Sequence, residues 1–361
     1  MVDKVYSNKK SSFFQKRISQ TYEAVDTSDL YPSFPKTSLI ELSNSCNHAC
    51  IFCANPRMKR KVGFLDLKIY EKFIKEAVPL GLREVGLYST GEPFLSKNLN
   101  DYIRIAKEAG ATYIYITTNG ALAKPEKMIS AIDAGLDSIK FSVNAGTRES
   151  YKLVHGKDDF DKVVDNIKFI SNYREERDIG LILMASSVIT KYTEDDKEMI
   201  KDLLLPLVDD LAFYGVSSQF GQSSDQLDLI RSSMTDNPPE PGTGQPCPMV
   251  WNRIHVTREG YLSLCCGDYE NALIYADLNS SSVKEAWHNY TITEMRRKHQ
   301  CQQLDKTLCK NCIYGTREKV YPLTDIGHEA AAKPLISNKD RGVKAINERI
   351  SKLDILKDFK K

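Results

Sequence analysis

The sequence contains no long apolar run. No stretch approaches the roughly eighteen consecutive apolar residues that a membrane-spanning helix needs. The first twenty residues also lack the apolar segment of a secretory signal. These two absences predict a protein without membrane spans that resides in the cytoplasm.

A dominant charge of one sign is missing as well. The 50 Lys and Arg residues are balanced by 48 Asp and Glu residues, which leaves a net charge of +2. A chain with so little excess charge has no global field that would recruit nucleic acid or an anionic membrane. We therefore expect a small molecule as partner, with a peptide as the alternative.

Cysteine, by contrast, is plentiful, with nine residues in the chain. In a reducing compartment these are not expected to form disulfides, and their clustering favours ligation of a metal or an iron-sulfur cluster. The spacing of the cysteines is the main evidence for function.

Short β-branched runs alternate with helical patterns from residue 38 to about 217, which predicts a parallel sheet with crossover helices. The six predicted strands are Ser38–Leu42, Glu84–Tyr88, Tyr113–Thr117, Ser138–Val143, Leu181–Val188 and Leu211–Val216. The predicted helices are Leu67–Val78 (N-cap Asp66), Leu99–Ala109, Pro125–Ala134, Phe160–Asn172 and Asp195–Leu205. Because six β/α units cannot close an eight-stranded barrel, we expect an α/β fold with a partial (β/α)6 TIM-like barrel, its site at the carboxyl ends of the strands.

The C-terminal part is predicted to form a small α+β domain. Residues 235–246 hold four prolines and two glycines, which indicates a linker. A hairpin of Arg253–Val256 and Tyr261–Leu264 follows, then a helix over Val283–Arg297. A terminal amphipathic helix is expected to dock on the barrel, with an oligomer contact as the alternative, through Val343, Ile346, Ile350, Leu353 and Leu356. The predicted organisation is an N-terminal extension (1–36), the barrel (37–234), the linker (235–246), the C-terminal domain (247–320) and a helical tail (321–361).

Three cysteines, Cys46, Cys50 and Cys53, follow the first predicted strand directly. Three thiolates can hold three irons of a [4Fe-4S] cluster and leave the fourth iron to a non-protein ligand. Zinc sites and redox dithiols also use Cys-x-x-Cys, and His48 lies close by, but zinc-finger spacing is absent. Ordinary packing is the third alternative.

The pattern Cys-x-x-x-Cys-x-aromatic-Cys, with Phe52 as the aromatic residue, resembles the radical S-adenosylmethionine (SAM) superfamily. The resemblance implies that SAM chelates the open iron. It further implies that the reduced cluster splits SAM into a 5′-deoxyadenosyl radical, which abstracts hydrogen from a substrate C–H bond. A flavodoxin- or ferredoxin-type electron donor belongs to the same expectation.

A second motif, Thr90-Gly91-Glu92-Pro93, follows the second predicted strand and resembles the family's motif for the amino group of SAM. Glu92 can accept charge-assisted hydrogen bonds from an ammonium group, and Gly91 permits close backbone approach. An ordinary turn is the alternative. Polar residues at later strand ends resemble the family's contacts to the cofactor, although turn residues have the same chemistry. These residues are Asn119, Ser142, Asn144 and Ser187.

Four further cysteines, Cys247, Cys265, Cys309 and Cys312, could saturate an auxiliary [4Fe-4S] cluster, with a four-cysteine zinc site as the alternative. Their surroundings resemble the SPASM extension of the same superfamily. No cysteine follows Cys312, so the resemblance is to the shortened twitch form, as in dehydrogenases of the 2-deoxy-scyllo-inosamine type. Cys266 and Cys301 are expected to be buried free thiols.

A saturated auxiliary cluster implies electron transfer, because it has no iron open to substrate. A carbinol radical can lose its electron to such a cluster, so we expect oxidation of an alcohol in a sugar, cyclitol or similar small molecule. A ribosomal-peptide maturase is the alternative. Only about 35 residues precede the first predicted strand, which is short for a winged-helix leader-binding domain. A metal-stabilised binding module would leave the three-cysteine loop unexplained.

Candidate substrate-facing residues are Tyr88, Arg57, Asn252 and Arg253, of which Tyr88 and Arg253 are the candidates for catalysis. The basic run Arg57–Lys61 follows the cysteine loop. It is interpreted either as a binding site for a phosphate or carboxylate group, or as a solvated face.

Overall fold

Ten strands form one sheet in the computed structural model, which describes residues 2–7, 13, 25–217, 219, 222, 229–231, 244–326 and 344–352. The strands are β1 (Val2–Ser7), β2 (Thr37–Ile40), β3 (Glu84–Gly86), β4 (Tyr113–Thr118), β5 (Ser138–Ser142), β6 (Ile182–Ile189), β7 (Asp210–Gly215), β8 (Arg253–Val256), β9 (Tyr261–Ser263) and β10 (Ile274–Asp277). Their order is β1-β7-β6-β5-β4-β3-β2-β8-β9-β10. Strands β2 to β7 pair in parallel, which confirms the six predicted strands and the partial barrel.

Six helices connect the parallel strands β2 to β7. They are α1 (Leu67–Leu80), α2 (Leu99–Glu108), α3 (Pro125–Asp133), α4 (Arg148–His155), α5 (Phe160–Glu176) and α6 (Lys197–Leu204). Helix α7 (Met249–Asn252) precedes β8, and α8 (Val283–Trp287), α9 (Tyr290–Gln300) and α10 (Leu308–Tyr314) follow β10. Asp66 caps α1 as predicted, because its carboxylate accepts the backbone N–H groups of Lys68 and Ile69.

Several features differ from the prediction, among them strand β10 and helices α7 and α10, which were not predicted. Strand β1 lies in the predicted N-terminal extension and pairs antiparallel with β7. Helix α4 was not predicted; Thr147 starts it with a capping box, and Gly156 ends it in the left-handed region. The single helix predicted over 283–297 is wrong, because the Asn289 side chain accepts the Ile292 N–H and starts a new helix, α9.

The sheet continues from the barrel into the C-terminal part, since β8 pairs in parallel with β2. The predicted hairpin is confirmed, with β8 and β9 antiparallel. One buried apolar cluster joins barrel residues such as Phe73 and Ile116 to Leu262 and Trp287. Most of the predicted linker lies outside the described residues.

Residues 344–352 are helical, and Ile346 and Ile350 pack in a buried cluster with Ile51 and Val154. The predicted docking on the barrel is therefore confirmed for these two positions. Val343, Leu353 and Leu356 lie outside the described residues. Among the described helices, none is long and apolar enough to cross a bilayer.

Candidate active site

The three-cysteine loop begins at the carboxyl end of β2 and is held by backbone contacts. Ala49 N–H donates to the carbonyl of His155 (3.2 Å), and Ile51 N–H donates to that of Val154 (3.0 Å). Both acceptors lie at the end of α4, the helix that the sequence analysis missed. The Arg349 guanidinium of the terminal helix also donates to the Ala49 carbonyl. Distant elements therefore set the shape of the loop.

Each sulfur of the loop faces a hydrogen-bond donor. Asn119 Nδ2 lies 3.8 Å from Cys46 Sγ, and His155 Nδ1 lies 3.7 Å from Cys50 Sγ. Cys53 Sγ accepts the Asn55 N–H at 3.4 Å and lies 4.0 Å from the Tyr269 hydroxyl. Donors aimed at sulfur suit thiolates, which carry the charge that such donors stabilise. The loop thus fits a cluster held by Cys46, Cys50 and Cys53.

Burial raises the pKa of all three thiols, that of Cys46 to about 12, because thiolates are poorly solvated here. Cluster iron would offset that cost, since ligation deprotonates a thiol. A redox dithiol needs a thiol of lowered pKa, so the raised pKa values favour a cluster over a redox dithiol.

The Thr90–Pro93 segment lies against the cysteine loop. Glu92 N–H donates to the Ser45 carbonyl at 2.8 Å. The Glu92 carboxylate is buried, which raises its pKa, and it accepts hydrogen bonds from Phe94 N–H, the Thr118 hydroxyl and Asn119 N–H. Glu92 thus joins the ends of β3 and β4 beside Cys46, in the position expected for a cofactor contact.

Gly91 approaches the loop so closely that a Cβ there would overlap the carbonyl oxygens of Ser43 and Ser45. We expect Gly91→Ala to destabilise the fold by about 1–3 kcal/mol, the usual cost of overpacking, and to weaken SAM binding. Denaturant unfolding and equilibrium dialysis with SAM measure the two effects. The matched control is Gly180→Ala, because no atom lies within 4 Å of a Cβ at Gly180. Unchanged SAM affinity in Gly91→Ala would contradict the expectation.

The remaining predicted cofactor contacts occupy different surroundings. Ser142 is half-buried at the end of β5. Asn144 is buried, and its Oδ1 accepts the Val188 N–H at 2.7 Å. Ser187 pairs with Phe213 on the side of the sheet that packs against helices, whereas Ser186 pairs with Ser142. Phe52 packs beside Ile51, and Pro93 opens a short 3-10 helix.

The second cysteine group also assembles in the fold. Burial is the main cause that raises the pKa of the Cys309 and Cys312 thiols. The nearby Cys247 thiolate raises the pKa of both thiols further, and Cys312 adds to the effect at Cys309. The Cys265 thiol shares a hydrogen bond with Cys266 and also responds to Cys247. Distant parts of the sequence thus bring the four predicted ligands together.

Cys266 and Cys301, which are not among the predicted cluster ligands, are less buried than expected. Cys301 is exposed, so its predicted burial is wrong. It lies just past the end of α9, where the side chain faces solvent. Cys266 is half-buried and belongs to the second group, because it hydrogen-bonds Cys265 and lies beside His255 and Arg253.

Tyr269 lies between the two cysteine groups, three residues after Cys266. Its hydroxyl donates to Gln219 Oε1 at 3.0 Å and faces Cys53 Sγ. The preceding residue, Asp268, shapes the turn, because its carboxylate accepts the backbone N–H groups of Ala272 and Leu273. The sequence offered no signal for this contact, since it spans 216 positions.

The candidate substrate-facing residues separate in the structure. The Tyr88 ring lies 5.8 Å from the Tyr115 ring and 5.9 Å from Lys140 Nζ. Arg253 instead lies at the start of β8, where with Asn252 it lines a cavity of about 610 Å³ at the opposite end of the strands. Tyr88 lies near the edge that carries the cysteine loop, and so does Arg57, which ends a short 3-10 helix (Asn55–Arg57) just after Cys53.

The basic run after the loop divides in the structure, because Lys59 and Lys61 are exposed to solvent whereas Met58 and Arg60 are buried. Met58 is buried against Ala54 and Tyr269. The Arg60 guanidinium is buried and bonds both oxygens of Glu41 at 2.7 and 2.8 Å. Arg60 also bonds Glu259 and Asn271 of the C-terminal part. Its charge therefore joins the loop region to β2 and to the residues after β8.

Two family models match parts of this chain. Residues 40–204 match the radical SAM superfamily, and residues 247–313 match SPASM, an iron-sulfur cluster-binding domain. The chain contains a radical SAM domain followed by a SPASM domain. As a radical SAM enzyme with a SPASM region, it uses SAM and [4Fe-4S] clusters as cofactors.

Sequence relatives of this radical SAM protein align over part of their length. One is named Probable GTP 3′,8-cyclase, from Saccharolobus solfataricus, and is 34% identical over 146 residues, which is 40% of this chain and 44% of the relative. An uncharacterised protein of Methanocaldococcus jannaschii is 36% identical over 135 residues, or 37% of this chain and 43% of the relative. The chain spans less than half the length of these curated relatives.

Solved structures share the radical SAM fold over most of the chain. BtrN in complex with AdoMet and 2-DOIA has a TM-score of 0.52 at 19% identity, covering 79% of this chain and 96% of BtrN. Streptococcus suis SuiB bound to its precursor peptide SuiA has a TM-score of 0.60 at 13% identity, covering 88% of this chain and 83% of SuiB. At these identities the likeness shows the fold alone.

Proposed function

We propose that this radical SAM enzyme oxidises an alcohol of a sugar, cyclitol or similar small molecule to a carbonyl. The observation that carries the proposal is that the Cys247, Cys265, Cys309 and Cys312 thiols lie near enough for their charges to affect one another, with no cysteine beyond Cys312 in the sequence. Four thiolates saturate one [4Fe-4S] cluster. Electron transfer is the chemistry that a saturated cluster supplies.

The electrons balance in two steps. When bound, SAM and the first cluster supply a 5′-deoxyadenosyl radical, which takes one hydrogen atom from the carbinol carbon. The substrate would then lose its hydroxyl proton and one electron, and the cluster that Cys247, Cys265, Cys309 and Cys312 would hold would accept this electron, which completes the two-electron oxidation. One SAM is consumed for each carbonyl formed.

Side chains on the face of the barrel sheet opposite the helices support the proposal that the substrate is polar. On β4 this face carries Tyr115 and Thr117, since Ile114 and Ile116 pack in the apolar core on the other side. Tyr88 and Lys140 lie beside Tyr115. Hydroxyl groups and an ammonium group are the donors and acceptors that fix a polyhydroxylated ligand. The structure of BtrN, solved with 2-DOIA, adds support by analogy.

A ribosomal-peptide maturase is the alternative function. The similarity to the structure of SuiB bound to a precursor peptide, which covers 88% of this chain, supports this alternative. In that case hydrogen would be taken from a peptide carbon and not from a carbinol.

The test uses the anaerobically reconstituted protein with SAM and dithionite, which replaces the flavodoxin- or ferredoxin-type donor that we propose. Cyclitols, aminocyclitols and sugars deuterated at their carbinol carbons are the probes. We expect deuterium in 5′-deoxyadenosine and one carbonyl product per 5′-deoxyadenosine. Deuterium transfer from a labelled peptide, with none from any alcohol, would overturn the proposal in favour of the maturase.

A variant separates the two half-reactions. Cys312→Ser is expected to keep deuterium transfer to 5′-deoxyadenosine but to lower carbonyl yield, because the electron acceptor is impaired. The matched control is Cys301→Ser, whose side chain is exposed and outside both cysteine groups. Equal carbonyl yield in Cys312→Ser and the control would contradict an auxiliary cluster as acceptor.

A further inference from the structure

His155 is the last residue of α4 and is fully buried beside the cysteine loop. Its ring stacks on Tyr151 with 3.9 Å between the centroids. One ring nitrogen, Nε2, faces Asn144, whose backbone nitrogen lies at 3.2 Å and whose Nδ2 lies at 3.1 Å. The other, Nδ1, lies 3.7 Å from Cys50 Sγ and 3.2 Å from His48 Nδ1.

The contact with Asn144 decides where the His155 proton is. A backbone N–H group can only donate, so His155 Nε2 must present its lone pair to Asn144. The ring proton is therefore on Nδ1, the nitrogen that faces Cys50. In a doubly protonated ring the Nε2–H of His155 would point at the backbone N–H of Asn144, so the same contact excludes that state.

His48 is oriented consistently with this tautomer. Its Nε2 lies 3.3 Å from a carboxylate oxygen of Asp159 and donates to it. His48 Nδ1 then carries a lone pair, which faces the Nδ1–H of His155 without conflict. The His155 proton thus has two acceptors, His48 Nδ1 and Cys50 Sγ.

The ligand atoms of His48, Cys50 and His155 lie within 4.8 Å of one another, which is also the spacing of a mononuclear metal site. The tautomer argues against that use. To bind a metal through Nδ1, His155 would need its proton on Nε2, directly opposed to the Asn144 N–H. The geometry therefore favours a donor to sulfur over a metal ligand.

We propose that His155 is a positioning residue that donates its Nδ1–H to the Cys50 thiolate and thereby raises the reduction potential of the SAM-cleaving cluster. A hydrogen bond to a thiolate ligand stabilises the reduced cluster more than the oxidised cluster, because reduction adds negative charge that the ligands share. Outer-sphere donors of this kind tune metal centres in general. The inference concerns the cluster and does not depend on which substrate is oxidised.

The test is a redox titration of the reconstituted holoenzyme followed by electron paramagnetic resonance. His155→Phe keeps a ring to stack on Tyr151 but removes the donor. We expect its SAM-cleaving cluster to be about tenfold harder to reduce, which lowers the midpoint potential by about 59 mV for one electron. The auxiliary cluster serves as an internal reference whose midpoint should not move.

Tyr151→Phe is the matched control, because the buried Tyr151 hydroxyl has no hydrogen-bond partner among the described residues. It keeps the stacked ring and leaves His155 in place. An unchanged midpoint in His155→Phe, or an equal fall in Tyr151→Phe, would overturn the proposal.

A measurement on the unaltered protein covers the case in which His155→Phe loses its cluster. With ¹⁵N-labelled histidine, the reduced SAM-cleaving cluster should show a weak hyperfine coupling to one histidine nitrogen. The coupling should persist in Tyr151→Phe. Its absence from the fully loaded native protein would refute the hydrogen bond.

Discussion

Replacing Cys46, Cys50 and Cys53 together by alanine is expected to leave about four of about eight irons per chain, since each [4Fe-4S] cluster holds four. The three thiols converge in one loop with a donor facing each sulfur, whereas the second group lies on separate elements of the C-terminal part. The second group should therefore load on its own. Iron and sulfide analysis after anaerobic reconstitution measures this.

The same variant should form no 5′-deoxyadenosine above the level of a protein-free reaction. SAM needs an iron with an open site, and only the first cysteine group leaves one. Cys301→Ala is the control, because Cys301 is exposed and outside both groups. Zinc in place of iron in the native protein, or 5′-deoxyadenosine from the triple variant, would contradict the assignment of the first cluster.

Arg60→Met is expected to lower the free energy of unfolding by about 3–5 kcal/mol, the usual cost of leaving one member of a buried ion pair without its partner. Glu41 is buried and would lose both hydrogen bonds from Arg60. Lys59→Met is the matched control from the same basic run, since Lys59 is exposed. Denaturant unfolding of the two holoproteins compares them.

The loss of unfolding free energy in Arg60→Met should depend on pH. Burial alone raises the pKa of Glu41, but the Arg60 charge and hydrogen bonds bring it below its ordinary value. In the native protein Glu41 therefore contributes stability above its unfolded pKa, and this is lost as the pH falls through the folded pKa. In Arg60→Met the effect of burial is opposed only by the hydrogen bonds from the Thr90 hydroxyl and the Arg258 backbone N–H, so Glu41 takes up a proton more readily. The difference between native and variant should be smaller at pH 5.5 than at pH 7.5, and a constant difference would argue against Glu41 as the cause.

The network around Arg60 also explains how the site is held together. Thr90 of the glycine-glutamate motif donates to Glu41, while Asn271 and Glu259 of the C-terminal part accept from Arg60. One buried cation thereby connects the cysteine loop region, the second-strand motif and the auxiliary-cluster part. This is a structural role that a run of basic residues in a sequence does not reveal.

Local patterns predicted most of the fold. The strands of the barrel have apolar runs of the expected length, and the helix at Asp66 has its cap next to an apolar period. Helix α4 and the break at Asn289 were missed because capping side chains, and not apolar periodicity, define them. Strand β1 was missed because its partner, β7, lies about 200 positions away.

The sequence by itself determined the ligand chemistry, because the spacing of Cys46, Cys50 and Cys53 is a property of one short loop. The tertiary structure decided what surrounds the sulfurs. His155, Asn119 and Tyr269 reach the loop across 73 to 216 positions of chain. The role of Arg60 follows from its burial. Ser187 faces the helices because successive side chains of a strand point to opposite faces of the sheet. These outcomes depend on which elements pack together, and packing is a property of the whole chain.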